Sequence, residues 1–452
     1  MRELLEDASQ RAIRYLEQLD RRNVAPTHEA KARLAKLESD LPEDSIGPSD
    51  VLNQLDEFVS PATMATAGSR FFGFVIGGSL PVALAANWLA GAWDQNSAHY
   101  DVTPGTALLE EIALRWLIKI FNLPTKCGGA FVTGATLANF SALATARHVT
   151  LARAGWNVES DGLIGAPDIR VVVSDEAHPA LIKSLGLLGL GRNRVIKVPV
   201  DGQGRMRVDG LPTLSKNTIV CTQAGNVNTG AFDPIREICR YAHDAGAWVH
   251  VDGAFGLWAS AAPSRAYLTS GVEEADSWAT DAHKWLNVPY DSGLAFVRDA
   301  EALRAAMAVT AEYLPTGMAH RNPYEFTPEM SRRARGVEVW AALRSLGRSG
   351  LADLIERTCR HARRFAEGLS EAGYPVLNEV VLNQVLVSFG NTAATEKVIA
   401  ELQADGTCWC GGTVWQGHTA MRISVSSWAT TNADVERSLN AMLRIAAKHG
   451  NR

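Results

Sequence analysis

Apolar positions along the chain follow two different rhythms. At the amino end Leu4, Leu5, Ala8, Ala12, Leu16 and Leu19 recur at three- and four-residue spacing with acids and arginines between them, which predicts an amphipathic helix over residues 1–20. A second apolar stretch, 80–93, predicts a buried helix; Asn87 interrupts it, and it is too short to cross a bilayer. Beyond it the rhythm changes. Short apolar or β-branched runs near 130, 171, 219 and 249 predict strands, and residues 137–148, 179–188 and 235–242 between them read as helices. This alternation predicts an α/β fold, a mostly parallel sheet sandwiched by helices. From about residue 351 an amphipathic helix, strands in VLNQVLVSF and TAMRISVSSW, and a last helix from Asn432 predict a small α+β domain. The expected organisation is an N-terminal helical segment (1–95), a large domain (96–320) and a C-terminal small domain (321–452), as a chain of this length calls for more than one core.

Composition narrows the partners. With 46% apolar and 21% charged residues the chain reads as an ordinary globular protein. Its net charge of -5 offers no electrostatic reason for a nucleic-acid or anionic-membrane partner. Acids in the first helix argue against a signal or transit peptide. Six cysteines in 452 residues form neither a disulfide framework nor zinc spacing, so reduced thiols in a cytoplasm and no metal site are expected.

Candidate chemistry collects where the predicted strands end. In SWATDAHKWLNVPYDSG, Lys284 lies between His283 and Trp285, followed by the turn-formers Pro289, Asp291 and Gly293. A lysine desolvated by aromatic neighbours offers a neutral amine to a carbonyl, although many such lysines only lay their stem on the ring. Thirty-two residues upstream, Asp252 ends the apolar run of WVHVDGAFG. A carboxylate at a buried strand end needs a positive partner, in an ion pair or in a protonated pyridine nitrogen. The turn 133–136 of FVTGATLANF joins a strand to a helix start, as a phosphate cradle does, yet it lacks the lysine of a P-loop. His178 follows RVVVSDEA, and Thr222 lies in TIVCTQAGN. The carboxyl edge of an open α/β sheet is where ligands bind, so this recurrence outweighs any single motif.

The pair HVDGAFG and DAHKWLNVPYDSG resembles the group II amino-acid decarboxylases, fold-type-I enzymes that depend on pyridoxal 5'-phosphate (PLP), from about residue 50 to the end. The resemblance implies decarboxylation of an L-amino acid to an amine through a Lys284 Schiff base. Asp252 would face the ring nitrogen and His178 would stack on the ring. The implied cofactor contacts are Ala135, Thr136, His178, Thr222, Asp252, Ala254, Asp281, His283 and Lys284. It also implies a loop tyrosine as proton donor, Tyr324 or alternatively Tyr313, and a homodimer with shared active sites. Asn96 and Ala98 stand where aromatic-specific relatives carry bulky apolar groups, which weighs against an aromatic substrate without excluding one. Arg332, Arg333 and Arg335 are taken as structural, and Arg422 as either a substrate carboxylate partner or a domain bridge. Transamination, oxidative deamination and aldol cleavage remain alternatives on the same scaffold, and a phosphorylated-ligand binding protein is the non-enzymatic one.

Overall fold

The protein is described from a computed structural model, over residues 1–309 and 320–449. The chain forms two compact units: residues 79–360 with 378–384, and residues 1–78, 361–377 and 385–452.

The first unit is built on a seven-stranded sheet. Its strands are β1 (Gly128–Val132), β2 (Arg170–Ser174), β3 (Ile196–Val198), β4 (Thr218–Gln223), β5 (Trp248–Asp252), β6 (Ser277–Asp281) and β7 (Gly293–Val297), in the order β1-β7-β6-β5-β4-β2-β3. Every residue of β1, β4, β5, β6 and β7 is buried, so these strands read as continuous runs and show no period of two. Strand β7 alone runs against its neighbours, pairing antiparallel with both β1 and β6. The short runs SWATD and GLAFV that make β6 and β7 were not among the expected strands. The helix Ala135–Ala152 packs on the sheet with Ala138, Ala142, Leu143 and Ala146 buried, and one core cluster joins Leu143 and Ala146 to Val171, Val173, Leu181 and Ile219. Helix Ile235–Asp244 buries Ile235, Ile238, Cys239 and Ala242.

A buried ion cluster fixes the segment after residue 319. Helix Pro104–Ile120 carries Glu110, fully buried. Its carboxylate accepts from Arg332 Nη1 at 2.7 Å and from Arg321 Nη1 at 3.2 Å. Arg332 also donates to Ser97 O and Phe131 O, at 3.0 and 2.7 Å, and Arg321 to Gly129 O at 2.5 Å. Arg333 pairs with Glu338, and Arg335 Nε donates to Asp291 Oδ1 at 2.8 Å.

The second unit holds a three-stranded sheet, order β8-β10-β9, of β8 (Gln384–Val387), β9 (Gly411–Trp415) and β10 (His418–Ser424), with helices Thr392–Asp405 and Asn432–His449. It also contains the amino end of the chain: Phe71 bridges Trp409 as a parallel partner, with their rings stacked 5.0 Å apart. The expected segments 1–95, 96–320 and 321–452 therefore regroup. Long-range pairing of 1–78 with the carboxyl end, and of 321–360 with the large sheet's unit, carries no local sequence signal. No described helix is long and apolar enough to cross a membrane. All six cysteines are buried and none is in a disulfide, and the described residues form no metal-binding cluster.

Candidate active site

Lys284 lies in the loop between β6 and β7, where Asp281 stands opposite Gly293 in the antiparallel register. The loop is held on both sides of the lysine. His283 N–H donates to Ser292 O at 3.2 Å, and Ser292 N–H donates back to His283 Nδ1 at 3.1 Å. Trp285 is fully buried and its indole donates to Thr358 Oγ1 at 2.9 Å. The left-handed backbone of Asn287 (φ 58°) turns the chain, with its amide on Trp285 O at 2.8 Å. The lysine is thus fixed at its root, as a nucleophile must be.

Lys284 Nζ lies 3.2 Å from Asp281 Oδ2. The other oxygen, Asp281 Oδ1, accepts the Ala135 N–H at 2.6 Å, at the first residue of helix Ala135–Ala152. An anionic oxygen there takes a free backbone donor at the positive end of the helix dipole. Burial pushes the His283 imidazole below its ordinary pKa. With Nδ1 accepting, its proton sits on Nε2, 3.7 Å from Asp281 Oδ2. Glycines 134 and 293 allow this closeness: a Cβ on Gly293 would collide with the backbone of Gly134, and one on Gly134 would come within 3.2 Å of the His283 ring.

Asp252 ends β5, buried, and accepts from Asn139 Nδ2 and from the Ala254 N–H, each at 3.2 Å. Among the described residues it has no cationic partner in an ion pair. A carboxylate placed so has room for a cationic partner, since two neutral donors do not offset the loss of water around a buried charge. Ala254 O in turn accepts the Asp281 N–H at 2.9 Å, which ties the tip of β5 to the lysine loop.

His178, Thr136, Thr222 and Tyr324 lie on the same sheet unit. His178 caps helix Pro179–Leu187, its Nδ1 accepting the Ala180 N–H at 3.2 Å. The carbonyl of Thr136 receives Ser184 Oγ from that helix at 2.8 Å. Thr222, buried on β4, donates its hydroxyl to His250 O at 3.2 Å. Tyr324 is buried, its ring 4.6 Å from that of His99 and its backbone N–H on Ala98 O at 3.3 Å, a packing position. Tyr313 lies outside the described residues. Asn96 Oδ1 accepts the Arg332 N–H at 2.9 Å and Ala98 lies under Tyr324, so both are used in holding the 320–335 segment. Arg422 lies on β10 of the other unit, where burial lowers its guanidinium pKa.

Three residues that matter here escaped the sequence reading: Asn139, His250 and Ser277. Each is fully buried, and all three are hydrogen-bonded to one another in series. Their signal was a polar stripe inside runs otherwise read as apolar.

The donor set fits a phosphorylated pyridine aldehyde: an amine at Lys284, a buried carboxylate at Asp252 without a counter-ion among the described residues, and a helix N-terminal N–H at Ala135 already drawn to an anionic oxygen. The comparisons with known proteins agree. The pyridoxal-dependent decarboxylase conserved domain matches residues 29–390. An L-2,4-diaminobutyrate decarboxylase of Rhizobium meliloti is 31% identical over 80% of this chain and 74% of its own. An aromatic-L-amino-acid decarboxylase of Bacillus atrophaeus is 25% identical over 99% of this chain and 95% of its own. Among solved structures, Oryza sativa TDC with PLP and tryptamine superimposes with a TM-score of 0.90 at 22% identity, covering 100% of this chain and 98% of that one.

Proposed function

Since the chain belongs to the pyridoxal-dependent decarboxylase family, and is thereby a PLP-dependent enzyme that decarboxylates an amino acid, we propose that the cluster around Lys284, Asp281 and Asp252 is its active site and that an L-amino acid is the substrate. The observation that carries the assignment is the chain of contacts Lys284–Asp281–Ala135 on one side and Asp281–Ala254–Asp252 on the other.

Bound PLP supplies an aldehyde carbon for attachment of an amine and a ring that accepts the electron pair left when a bond at the α-carbon breaks. Lys284 Nζ would hold the aldehyde carbon, the place that the substrate's amino group takes. Asp252 would hold the proton on the ring nitrogen. The N–H groups of Ala135, now on Asp281 Oδ1, and Thr136 would hold the phosphate. His178, fixed at a helix start, would support the ring face, and Thr222, Ala254 and His283 would line the pocket around it. Lys284 Nζ would also serve as a proton donor to the substrate's α-carbon.

A homodimer is the assembly we propose. Helix Arg2–Glu17 buries none of its residues and leaves Leu5, Ile13 and Leu16 exposed, while helix Pro81–Trp93 exposes Val82, Trp88, Leu89 and Trp93, areas that a second copy would cover. Six cysteines outside any disulfide suit a reducing cytoplasm. The deciding experiment is a screen of L-amino acids, aromatic, acidic and diamino, for equal yields of carbon dioxide and amine. In wild type, borohydride should fix the cofactor to the chain; in Lys284→Ala it should not, and fixation in that variant would remove Lys284 from its role.

A further inference from the structure

Behind Asp252 lies a line of buried polar groups for which the chemistry above has no use. Trp248, His250 and Asp252 alternate along β5 and so share one face, and Ser277 is the register partner of His250 on β6. Trp248 Nε1 lies 2.9 Å from Ser277 Oγ, Ser277 Oγ 2.9 Å from His250 Nδ1, His250 Nε2 2.8 Å from Asn139 Oδ1, and Asn139 Nδ2 3.2 Å from Asp252 Oδ2.

The direction of every bond in this line follows from its two ends. An indole N–H only donates, so Ser277 Oγ accepts from Trp248 and keeps its own proton available for His250 Nδ1. His250 is neutral, because burial presses its pKa down to about 3. With Nδ1 accepting, its single proton is on Nε2 and is donated to Asn139 Oδ1. That fixes the amide, whose NH2 then points to Asp252. The opposite amide orientation would set an oxygen against a carboxylate oxygen.

We propose that Trp248, Ser277, His250 and Asn139 are positioning residues, a one-way hydrogen-bond relay that holds Asp252 as an oriented, ionised acceptor facing the ring nitrogen of the cofactor. The proposal rests on the reading that Asp252 meets that nitrogen. A carboxylate that receives a donor from the rear is disfavoured from taking a proton itself, so the proton shared with the ring stays on the ring side.

The relay makes a statement about the cofactor-free protein that nitrogen-15 NMR of the labelled histidines can check. His250 should show a protonated Nε2 and a bare Nδ1, unchanged from about pH 5 to 9; a proton on Nδ1 would overturn the proposal. In Ser277→Ala the preference should relax to a mixture of the two tautomers, whereas a purely structural serine would leave it in place. Loaded with ring-labelled PLP, wild type should show a protonated ring nitrogen. In Asn139→Leu that signal should move toward the unprotonated position and the PLP dissociation constant should rise about ten- to hundredfold, the loss expected of one hydrogen bond to a charged group. A protonated ring in wild type with unchanged signal and affinity in Asn139→Leu refutes the relay alone. An unprotonated ring in wild type refutes the role of Asp252 on which it stands. Should Asn139→Leu fail to fold, Ser277→Ala carries the same comparison, with a smaller displacement in the same direction.

Discussion

Replacing Glu110 by leucine separates the energetics of a buried charge from those of a surface one within a single helix. Glu110 is enclosed and takes hydrogen bonds from two guanidinium groups, Arg332 and Arg321, more than two hundred residues further along the chain. Leucine fills nearly the same volume but leaves both cations in a low-dielectric setting, with the carbonyls of Ser97, Phe131 and Gly129 and the ring of Phe326 as neutral partners. Breaking a buried pair in this way costs about 3–5 kcal/mol. The next residue, Glu111, pairs with Arg115 on the exposed side of the helix, where such a pair contributes about 0.2–1 kcal/mol. Urea unfolding followed by tryptophan fluorescence should therefore show Glu110→Leu shifted by roughly 1 M or more, taking a slope of about 3 kcal/mol per molar, and Glu111→Ala by a few tenths at most. Because the cluster anchors residues 320–335, turnover should fall in Glu110→Leu as well, and part of the lost stability should return when Arg332 is replaced by methionine in the same chain. Equal shifts for Glu110→Leu and Glu111→Ala would refute the reasoning.

Three further outcomes are expected. Asp252→Asn should still bind PLP, more weakly, and lose roughly a hundredfold in kcat, the scale of one preorganised electrostatic group; full activity would remove the ring-nitrogen role. Tyr324→Phe should keep turnover within about threefold and lose about 1 kcal/mol of stability, as for a packed hydroxyl; loss of proton return to the α-carbon would make Tyr324 the donor after all, while Tyr313→Phe tests the alternative. The folded pKa of His250 is depressed to about 3, so between about 6.5 and that value the unfolded chain binds a proton that the native one does not. The stability due to this group is complete above about pH 6.5 and declines as pH falls, by about 4–5 kcal/mol in all; measured as the difference between wild type and His250→Gln, a flat profile would contradict it.

Much of the candidate site's placement was legible because its residues terminate strands that announce themselves. The β-branched run before His178 and the apolar run before Asp252 could hardly be anything but buried parallel strands, and the turn before Ala135 followed the same logic. Strands β6 and β7 were hidden since five-residue runs such as SWATD mix polar and apolar groups and the attention-drawing lysine lies outside them. The pairing of residues 1–78 with the carboxyl end depends on contacts such as Phe71 with Trp409, which no local pattern encodes. The Asn139–His250–Ser277 series was overlooked because each residue alone sits unremarkably in its run; only the shared face of β5 and its register with β6 makes them a line. Tyr324 lies in a proline-bearing stretch without apolar period that reads as loop, and its burial against Ala98 had no local signal.

The antiparallel return of β7 has a consequence for affinity. A crossover through a helix would put the reactive amine on a segment of about a dozen or more residues between its two anchor points; here the segment that bears it is short and its two ends face each other in the sheet, Asp281 against Gly293. Most of the conformational freedom of that segment is surrendered during folding, so attaching the cofactor has little left to immobilise, and its binding energy is available for tightness instead of ordering.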